Sequence, residues 1–177
     1  MATAALAGLI LADRAGWGFY QGPDLSRYDG KTFRVAGVID GDTLELAIKD
    51  GERPTTRVRL WGIDAPEVAR DGRPSEPFAD DATDRAQTLA YGTTVKLSLE
   101  PHRLRGRYGR LLAYVTLPDG TVLNERLLAE GLARAEDRWP HRAAGRYAQL
   151  EAQARHEGRG LWLSPLPGIV SGPPSHR

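Results

Sequence analysis

Cysteine is missing from this sequence of 177 residues. Its absence excludes a disulfide-stapled scaffold, a zinc–thiolate site, an iron–sulfur centre and a cysteine nucleophile. The compartment stays open, because a chain without cysteine tolerates oxidising and reducing surroundings alike. The length suits one domain with its own core, so neither a metal nor a disulfide is needed merely for folding.

A strong excess of one charge is missing as well. The chain has 24 Lys and Arg and 23 Asp and Glu, a formal net charge of +1. This balance excludes a basic coat that binds nucleic acid by bulk charge alone. Lysine is scarce, with only Lys31, Lys49 and Lys96, so the positive charge is nearly all arginine. GC-rich codon usage accounts for most of that bias, although the guanidinium fork also suits carboxylates and phosphates.

Long hydrophobic runs are few. The uncharged stretch at 2–12 is shorter than the about 20 residues of a membrane-spanning helix. It has the length of a signal-peptide core, but no positive segment precedes it and no clean cleavage site follows. We interpret residues 1–30 as an apolar stub and linker, the stub being a signal or anchor remnant or an ordinary short helix. A domain at 31–164 and a flexible Pro/Gly/Ser-rich tail at 165–177 follow.

Alternating apolar residues, such as Leu44, Leu46 and Ile48, indicate strands. Five strands are predicted, at 33–39, 43–49, 56–63, 95–99 and 111–117. Helical spacing predicts three helices, at 77–90, 124–131 and 142–156, the second of them capped by Asn124. The order β-β-β-α-β-β-α-α fits an α+β fold built on a five-stranded OB-type barrel.

Two short acidic motifs stand out, Asp40-Gly-Asp42-Thr and Asp64-Ala-Pro-Glu67. If the second and third strands pair around the turn at 50–54, Asp42 faces Asp64. Two hard oxygen ligands there could hold Ca²⁺ or Mg²⁺ and leave positions for water and a phosphate oxygen. Glu67 could orient or deprotonate such a water. Each motif alone is better explained as a turn or a strand end, and it is their facing positions that favour a metal site.

Arg59 lies within the third predicted strand, and Arg110 directly precedes the fifth. Two guanidinium forks on one anion would stabilise the charge that grows on a phosphorus during transfer, and structural salt bridges are the alternative. Five strand residues span roughly 16 Å. A bend or bulge near Gly62 is therefore needed if Arg59 is to meet Asp64.

Four motifs in this order closely resemble those of the staphylococcal nuclease (thermonuclease) family. They are DGDT at 40–43, RLWGIDAPE at 59–67, RYGRLLAY at 107–114 and LNE at 123–125. The resemblance runs from about Phe33 to Trp162. It implies the family's OB-type barrel with three helices and a Ca²⁺-dependent phosphodiesterase that cuts DNA and RNA. Water would attack in line and leave 3′-phosphorylated products.

The resemblance also implies the metal ligands. Asp42 and Asp64 would hold the calcium together with the backbone carbonyl of Ala65, and Asp40 would lie behind them.

The remaining implied roles concern the substrate. Glu67 matches the family's general base or water-orienting carboxylate, and Arg59 and Arg110 match the pair that grips the scissile phosphate. Tyr108 matches a tyrosine that contacts a neighbouring phosphate. Trp139 stands where the family has a substrate-side tyrosine, and we interpret it as a core tryptophan beneath Pro140 rather than a base-stacking residue.

DNA and RNA are the expected partners, as substrates of a monomer without an obligate protein partner. The apolar stub suggests secretion or an envelope location, with a membrane tether or a cytoplasmic location left open. The alternative function is a catalytically silent module that binds nucleic acid or protein. Such a module has no need of Glu67 or of both arginines, so the filled catalytic set favours the enzyme.

Overall fold

Five strands close into a barrel in the computed structural model, which describes residues 23–163. The barrel strands are β1 (Thr32–Asp40), β2 (Thr43–Leu46), β3 (Thr56–Leu60), β5 (Thr94–Ser98) and β6 (Leu111–Thr116). Two further short strands, β4 (Ile63–Asp64) and β7 (Arg134–Ala135), form a separate two-stranded sheet. The barrel order is β1-β2-β3-β6-β5, with β3 and β6 parallel and the other neighbours antiparallel. The predicted α+β fold with a five-stranded OB-type barrel is confirmed.

The alternation of side chains in β2 and β3 explains how the barrel is filled. Leu44 and Leu46 in β2 and Val58 in β3 have no exposed surface and point into the core. Arg57 and Arg59 take the positions in between and therefore share the outer face of β3. The barrel thus places two charged residues of one strand side by side on its outside.

The helices are α1 (Pro23–Tyr28), α2 (Ala79–Ala90), α3 (Leu123–Ala129) and α4 (Ala144–His156), followed by a 3₁₀ turn at Gly160–Trp162. The three helices predicted from spacing are present as α2, α3 and α4. Helix α1 lies in the stretch interpreted as a linker. Its last residue, Tyr28, has no exposed surface, and its Oη lies 3.1 Å from Thr56 Oγ1 at the start of β3. The packed core therefore includes α1.

The predicted stub at 2–12 and the predicted tail at 165–177 lie outside the described residues. Within residues 23–163, none of the helices combines the length and the hydropathy that a membrane crossing requires.

The third strand ends earlier than predicted, at Leu60 rather than Ile63. Gly62 adopts a left-handed conformation with φ +77°. A side chain there would also collide with the His141 ring, so only glycine fits this turn. The turn redirects the chain into β4, which pairs with β7 instead of continuing beside β2. This is the bend that contact between Arg59 and Asp64 requires.

The register of β2 and β3 also differs from the prediction. Thr43 pairs with Arg59 and Leu46 with Thr56, so the hairpin is symmetric about Gly51. Asp42 consequently lies beside Leu60, whose N–H donates to the Asp42 carbonyl at 2.8 Å. The predicted pairing of Asp42 with Asp64 across the hairpin is wrong. The Gly62 turn, not the ladder, brings the two together.

The N-cap prediction for Asn124 is wrong too. Helix α3 begins at Leu123 after Val122, and Asn124 lies inside it with no exposed surface. Its side chain donates to the Trp61 carbonyl at 3.0 Å and accepts from the Val115 N–H at 3.1 Å. Asn124 therefore fastens α3 to β6 and to the turn that follows β3.

Candidate active site

Asp42 and the segment after β4 are joined directly. The Ala65 N–H donates to Asp42 Oδ2 at 2.8 Å, and the Asp42 N–H donates to Asp40 Oδ1 at 3.2 Å. A Cβ on Gly41 would lie 2.7 Å from Ala82 Cβ and 2.8 Å from Ala65 Cβ. The glycine between the two aspartates is thus required by close packing against α2 and Ala65.

Arg59 lies between the two predicted metal carboxylates. Its Nη1 is 2.5 Å from Asp42 Oδ2, and its Nη2 donates to Asp64 Oδ1 at 2.7 Å. The side chains of Asp42 and Arg59 are 8% and 16% exposed, whereas Asp64 is 47% exposed. The guanidinium is therefore held by ion pairs with both carboxylates, of which only Asp64 is well exposed to solvent.

The Asp42 carboxylate is electrostatically costly where it lies. Burial raises the pKa of Asp42 to about 7, because the loss of hydration outweighs the attraction of the Arg59 guanidinium. The negative charges of Asp40 and Asp64 raise it further. An additional positive charge beside Asp42 would oppose this shift.

Arg110 reaches the same carboxylate through Thr43. Arg110 Nη1 donates to Thr43 Oγ1 at 2.9 Å, and that hydroxyl donates to Asp42 Oδ1 at 3.1 Å. Thr43 is 2% exposed, so this hydroxyl is fixed between its two partners. Arg59 thus contacts one oxygen of the Asp42 carboxylate directly, and Arg110 is linked to the other through Thr43. The sequence did not predict this role of Thr43.

A cleft of about 530 Å³ opens beside Thr43. Its lining residues are Ile39, Asp40, Thr43, Arg53, Arg57, Glu67, Arg70, Tyr108 and Arg110. Glu67 is exposed in the loop after β4, and Tyr108 is 71% exposed. The structure therefore brings Asp40, Glu67, Tyr108 and Arg110 into one cleft, while Arg59, Asp42 and Asp64 form an adjoining group that meets it at Thr43.

The loop that carries Glu67 is closed on itself. The Glu67 N–H donates to Glu76 Oε2 at 3.2 Å, and the Glu76 N–H donates to the Glu67 carbonyl at 2.9 Å. Arg70 in the same loop lies 3.9 Å from Asp40 across the cleft. These contacts hold the Glu67 backbone at the rim of the cleft and leave its carboxylate facing solvent.

The donors near Asp42 suit a hard cation. Within residues 23–163, no group of three or more His, Asp or Glu side chains is arranged to hold a metal ion. Asp42 and Asp64 nevertheless offer carboxylate oxygens at one place, Asp64 is half exposed, and the Ala65 backbone is adjacent. Carboxylate, carbonyl and water oxygens are the ligands that Ca²⁺ prefers. These oxygen atoms are therefore of the type that binds Ca²⁺. A cation bound there would share the two carboxylates with Arg59.

Arg105 organises the loop that presents Tyr108 and Arg110. Its guanidinium makes two-pronged ion pairs with Asp24 of α1, at 2.6 and 3.0 Å, and with Asp50 of the β2–β3 hairpin, at 2.7 and 3.0 Å. It also donates to the Gly109 carbonyl at 2.7 Å, next to Arg110. Sequence reasoning missed this residue, since its partners are 81 and 55 positions away.

Trp139 is not the core residue that was expected. It is 44% exposed, and the Arg103 guanidinium stacks on its ring with 3.7 Å from Cζ to the centroid. The aromatic ring that packs against Gly62 is that of His141, which lies edge-on to Trp61. His141 had no assigned role in the sequence analysis, because its partner is a glycine whose importance depends on a backbone angle.

Comparison with known proteins finds relatives that span most of this chain. The family model described as staphylococcal nuclease homologue matches residues 57–164. A thermonuclease from Staphylococcus hyicus is 34% identical over 146 residues, which cover 82% of this chain and 83% of the relative. A thermonuclease from Staphylococcus intermedius is 37% identical over 129 residues, 71% of this chain and 74% of the relative. An uncharacterized endonuclease from Escherichia coli is 36% identical over 136 residues, 76% of this chain and 80% of the relative.

Proposed function

We propose that this chain, which belongs to the staphylococcal nuclease family and is a nuclease, hydrolyses DNA and RNA with Ca²⁺ and leaves 3′-phosphorylated products. One observation carries the proposal. Arg59 and Arg110 approach the Asp42 carboxylate from its two oxygens, beside a cleft that Glu67 lines. Two forks, a free carboxylate and a set of oxygen ligands are the parts that phosphodiester hydrolysis requires.

The two arginines bind the scissile phosphate in this proposal. Arg59 is held between Asp42 and the half-exposed Asp64, so a phosphate oxygen can take the place of the Asp64 carboxylate. Arg110 is held by the Thr43 hydroxyl at the edge of the cleft, so its other donors face the substrate. Fixed guanidinium groups stabilise the negative charge that develops on the phosphoryl oxygens in the transition state.

Glu67 takes the proton of the attacking water. Its carboxylate is exposed to the cleft while its backbone is fixed by Glu76, so it can accept a proton without leaving the site. The water oxygen forms a bond to phosphorus as the bond from phosphorus to the 5′-oxygen breaks. The departing 5′-oxygen takes a proton from solvent water, Glu67 releases its proton to solvent, and the phosphate stays on the 3′-oxygen.

Asp42, Asp64 and the Ala65 carbonyl would hold Ca²⁺, which when bound supplies positive charge to the phosphate and lowers the pKa of a bound water. Arg59 then exchanges a carboxylate partner for a phosphate oxygen as the substrate enters. Tyr108, exposed at the mouth of the cleft, contacts a neighbouring phosphate. Asp40 fixes the Asp42 backbone from behind.

The ends of the products test the chemistry. A DNA oligonucleotide and an RNA of the same sequence are digested with Ca²⁺, and the fragments are analysed by mass spectrometry. The proposal predicts that upstream fragments carry a 3′-phosphate and downstream fragments a 5′-hydroxyl, from both nucleic acids. Fragments that end in a 3′-hydroxyl would contradict the assigned bond cleavage. A lasting 2′,3′-cyclic phosphate from RNA would show that the 2′-hydroxyl attacks instead of water.

A further inference from the structure

Three arginines that the proposed chemistry does not use line the same cleft: Arg70, which lies 3.9 Å from Asp40, and the two residues Arg53 and Arg57. Arg57 precedes Arg59 by two residues on the outer face of β3, about 6.6 Å along the strand. Arg53 lies in the β2–β3 hairpin, four residues before Arg57 and farther from Arg59. Both line the cleft together with Arg110. We call Arg53 and Arg57 the hairpin arginines. With Arg59 they form a row that leads away from the scissile phosphate.

The hairpin arginines are available to an external anion. The Arg57 side chain is 47% exposed, and its ion-pair partner is Glu45, with 3.1 Å from Nε to Oε1. An exposed pair of this kind is weak and exchanges readily for another anion. Arg53 is exposed and forms no ion pair with a carboxylate in the described part of the chain.

The charge of the cleft is positive as a whole. Four arginines line it, and only two carboxylates do, Asp40 and Glu67. Asp40 is buried and already accepts from the Asp42 N–H. On the hairpin side Arg57 is paired with Glu45, and Arg53 has no carboxylate partner within residues 23–163, so a surplus positive charge lies there although the net charge of the whole chain is only +1. A local surplus of this kind is what a nucleic-acid backbone requires.

We propose that the hairpin arginines form a subsite for the backbone phosphates that flank the scissile one on a single nucleic-acid strand. This inference rests on the proposed function, and it adds residues that bind the polymer rather than the reacting group. A strand that runs from Arg110 toward the hairpin meets Arg57 first and Arg53 next. Arg57 leaves Glu45 for a phosphate, so Glu45 limits how tightly the strand binds.

Binding of labelled oligothymidylates of two and twelve nucleotides, measured by fluorescence anisotropy, tests the subsite. The protein is used with excess chelator, and again as the Glu67→Gln variant with Ca²⁺. Arg53→Gln and Arg57→Gln should each weaken binding of the long strand about threefold. Each should also reduce the slope of log K against log salt by about 0.7, the loss of one phosphate contact on a single strand.

Arg34→Gln is the matched control, because Arg34 is also an exposed strand arginine but lies in β1 beside β5. It removes the same charge and should change neither the affinity nor the salt slope. Glu45→Gln should have the opposite effect and tighten binding of the long strand. Equal losses in the Arg34 and hairpin variants would overturn the subsite, since they would show a response to net charge alone.

The subsite and the proposed function fail in different ways. The twelve-nucleotide strand should bind more tightly than the two-nucleotide strand. If this gain in affinity is the same in the parent and in both hairpin variants, the subsite is overturned, whether or not the protein cleaves. Absence of cleavage under every condition overturns the proposed function. A length-dependent gain that the hairpin variants lose would still support the subsite in that case.

Discussion

Arg59 bridges Asp42 and Asp64, with 2.5 Å from Nη1 to Asp42 Oδ2 and 2.7 Å from Nη2 to Asp64 Oδ1. One guanidinium thus holds the two carboxylates that we assign to Ca²⁺. If Ca²⁺ binds these two carboxylates, it competes with Arg59 for them, and a phosphate oxygen offers Arg59 another acceptor. Because linkage is reciprocal, binding of Ca²⁺ and binding of a phosphate ligand should each strengthen the other.

Arg59→Gln tests this sharing through stability. The substitution leaves the buried Asp42 carboxylate without its partner, which should lower the free energy of unfolding by about 3 kcal/mol without metal. Added Ca²⁺ should restore more of the thermal stability of the variant than it adds to the parent, because no guanidinium competes. Thermal unfolding with and without Ca²⁺ measures both effects. An equal rise in Tm in the two proteins would show that Arg59 and the cation do not share ligands.

Arg110→Ala should lower kcat by about 10²- to 10³-fold, the loss expected for a group that stabilises transition-state charge. Arg107→Ala is the control, because the guanidinium groups of Arg107 and Arg110 lie 5.8 and 5.9 Å from the Tyr108 ring centre. Of the two, Arg110 is the one that contacts Thr43, so Arg107→Ala should lose far less turnover. If KM rises in Arg110→Ala while kcat stays constant, Arg110 only binds the substrate.

Arg105→Gln should reduce both stability and turnover. It removes the ion pairs to Asp24 and Asp50 and the hydrogen bond to the Gly109 carbonyl, so the loop that presents Arg110 loses its anchor. We expect a loss of about 1–2 kcal/mol in the free energy of unfolding, since the groups are partly buried.

Arg85→Gln is the comparison for Arg105→Gln. It removes a two-pronged pair with Glu130, with 2.6 Å for each contact, between α2 and α3. It should cost similar stability and leave kcat unchanged. If both variants keep the parent's kcat at a temperature where they are folded, Arg105 is a structural residue only.

Acid should destabilise the packing around Gly62 through His141. Burial lowers the pKa of His141, while the charges of Glu100 and Glu136 oppose that shift. The unfolded chain then binds the proton more readily than the folded chain. The stability that His141 contributes is complete above its usual pKa of about 6.5 and is lost as the pH falls through the lower folded value. Urea unfolding measures the free energy of unfolding of the parent and of His141→Gln between pH 8 and pH 5. The difference between the two proteins should become smaller as the pH falls, and a difference that does not change with pH would contradict this assignment.

The strands of the barrel were predictable because their pattern is local. Leu44 and Leu46 alternate with polar residues in β2, and the structure buries both. From the sequence, a bend near Gly62 could only be inferred as necessary for Arg59 to reach Asp64. Its left-handed φ and its contact with the His141 ring depend on the tertiary structure and could not be predicted. The predicted hairpin register was wrong because pairing Asp42 with Asp64 centres the hairpin at residue 53, whereas β2 and β3 pair symmetrically about Gly51.

The sequence motifs identified the candidate site residues, but they did not predict which side chains contact one another. The sequence indicated that Asp42 and Asp64 lie near one another, but not that Arg59 lies between them. Asn124 was interpreted from its local capping preference, whereas its actual partners are in β6 and at Trp61. Arg105 gave no signal, because an ion pair across more than fifty residues leaves no trace in local spacing.

Digestion of denatured DNA by the purified protein and by Glu67→Gln, with Ca²⁺ or with excess chelator, tests whether the protein is a Ca²⁺-dependent nuclease that uses Glu67. We expect cleavage that requires Ca²⁺ and that falls by a few orders of magnitude in the variant, whose thermal unfolding and Ca²⁺ binding stay close to those of the parent. Equal cleavage by the two proteins would contradict the role of Glu67. DNA binding without cleavage in any metal would contradict the enzyme and indicate a binding module.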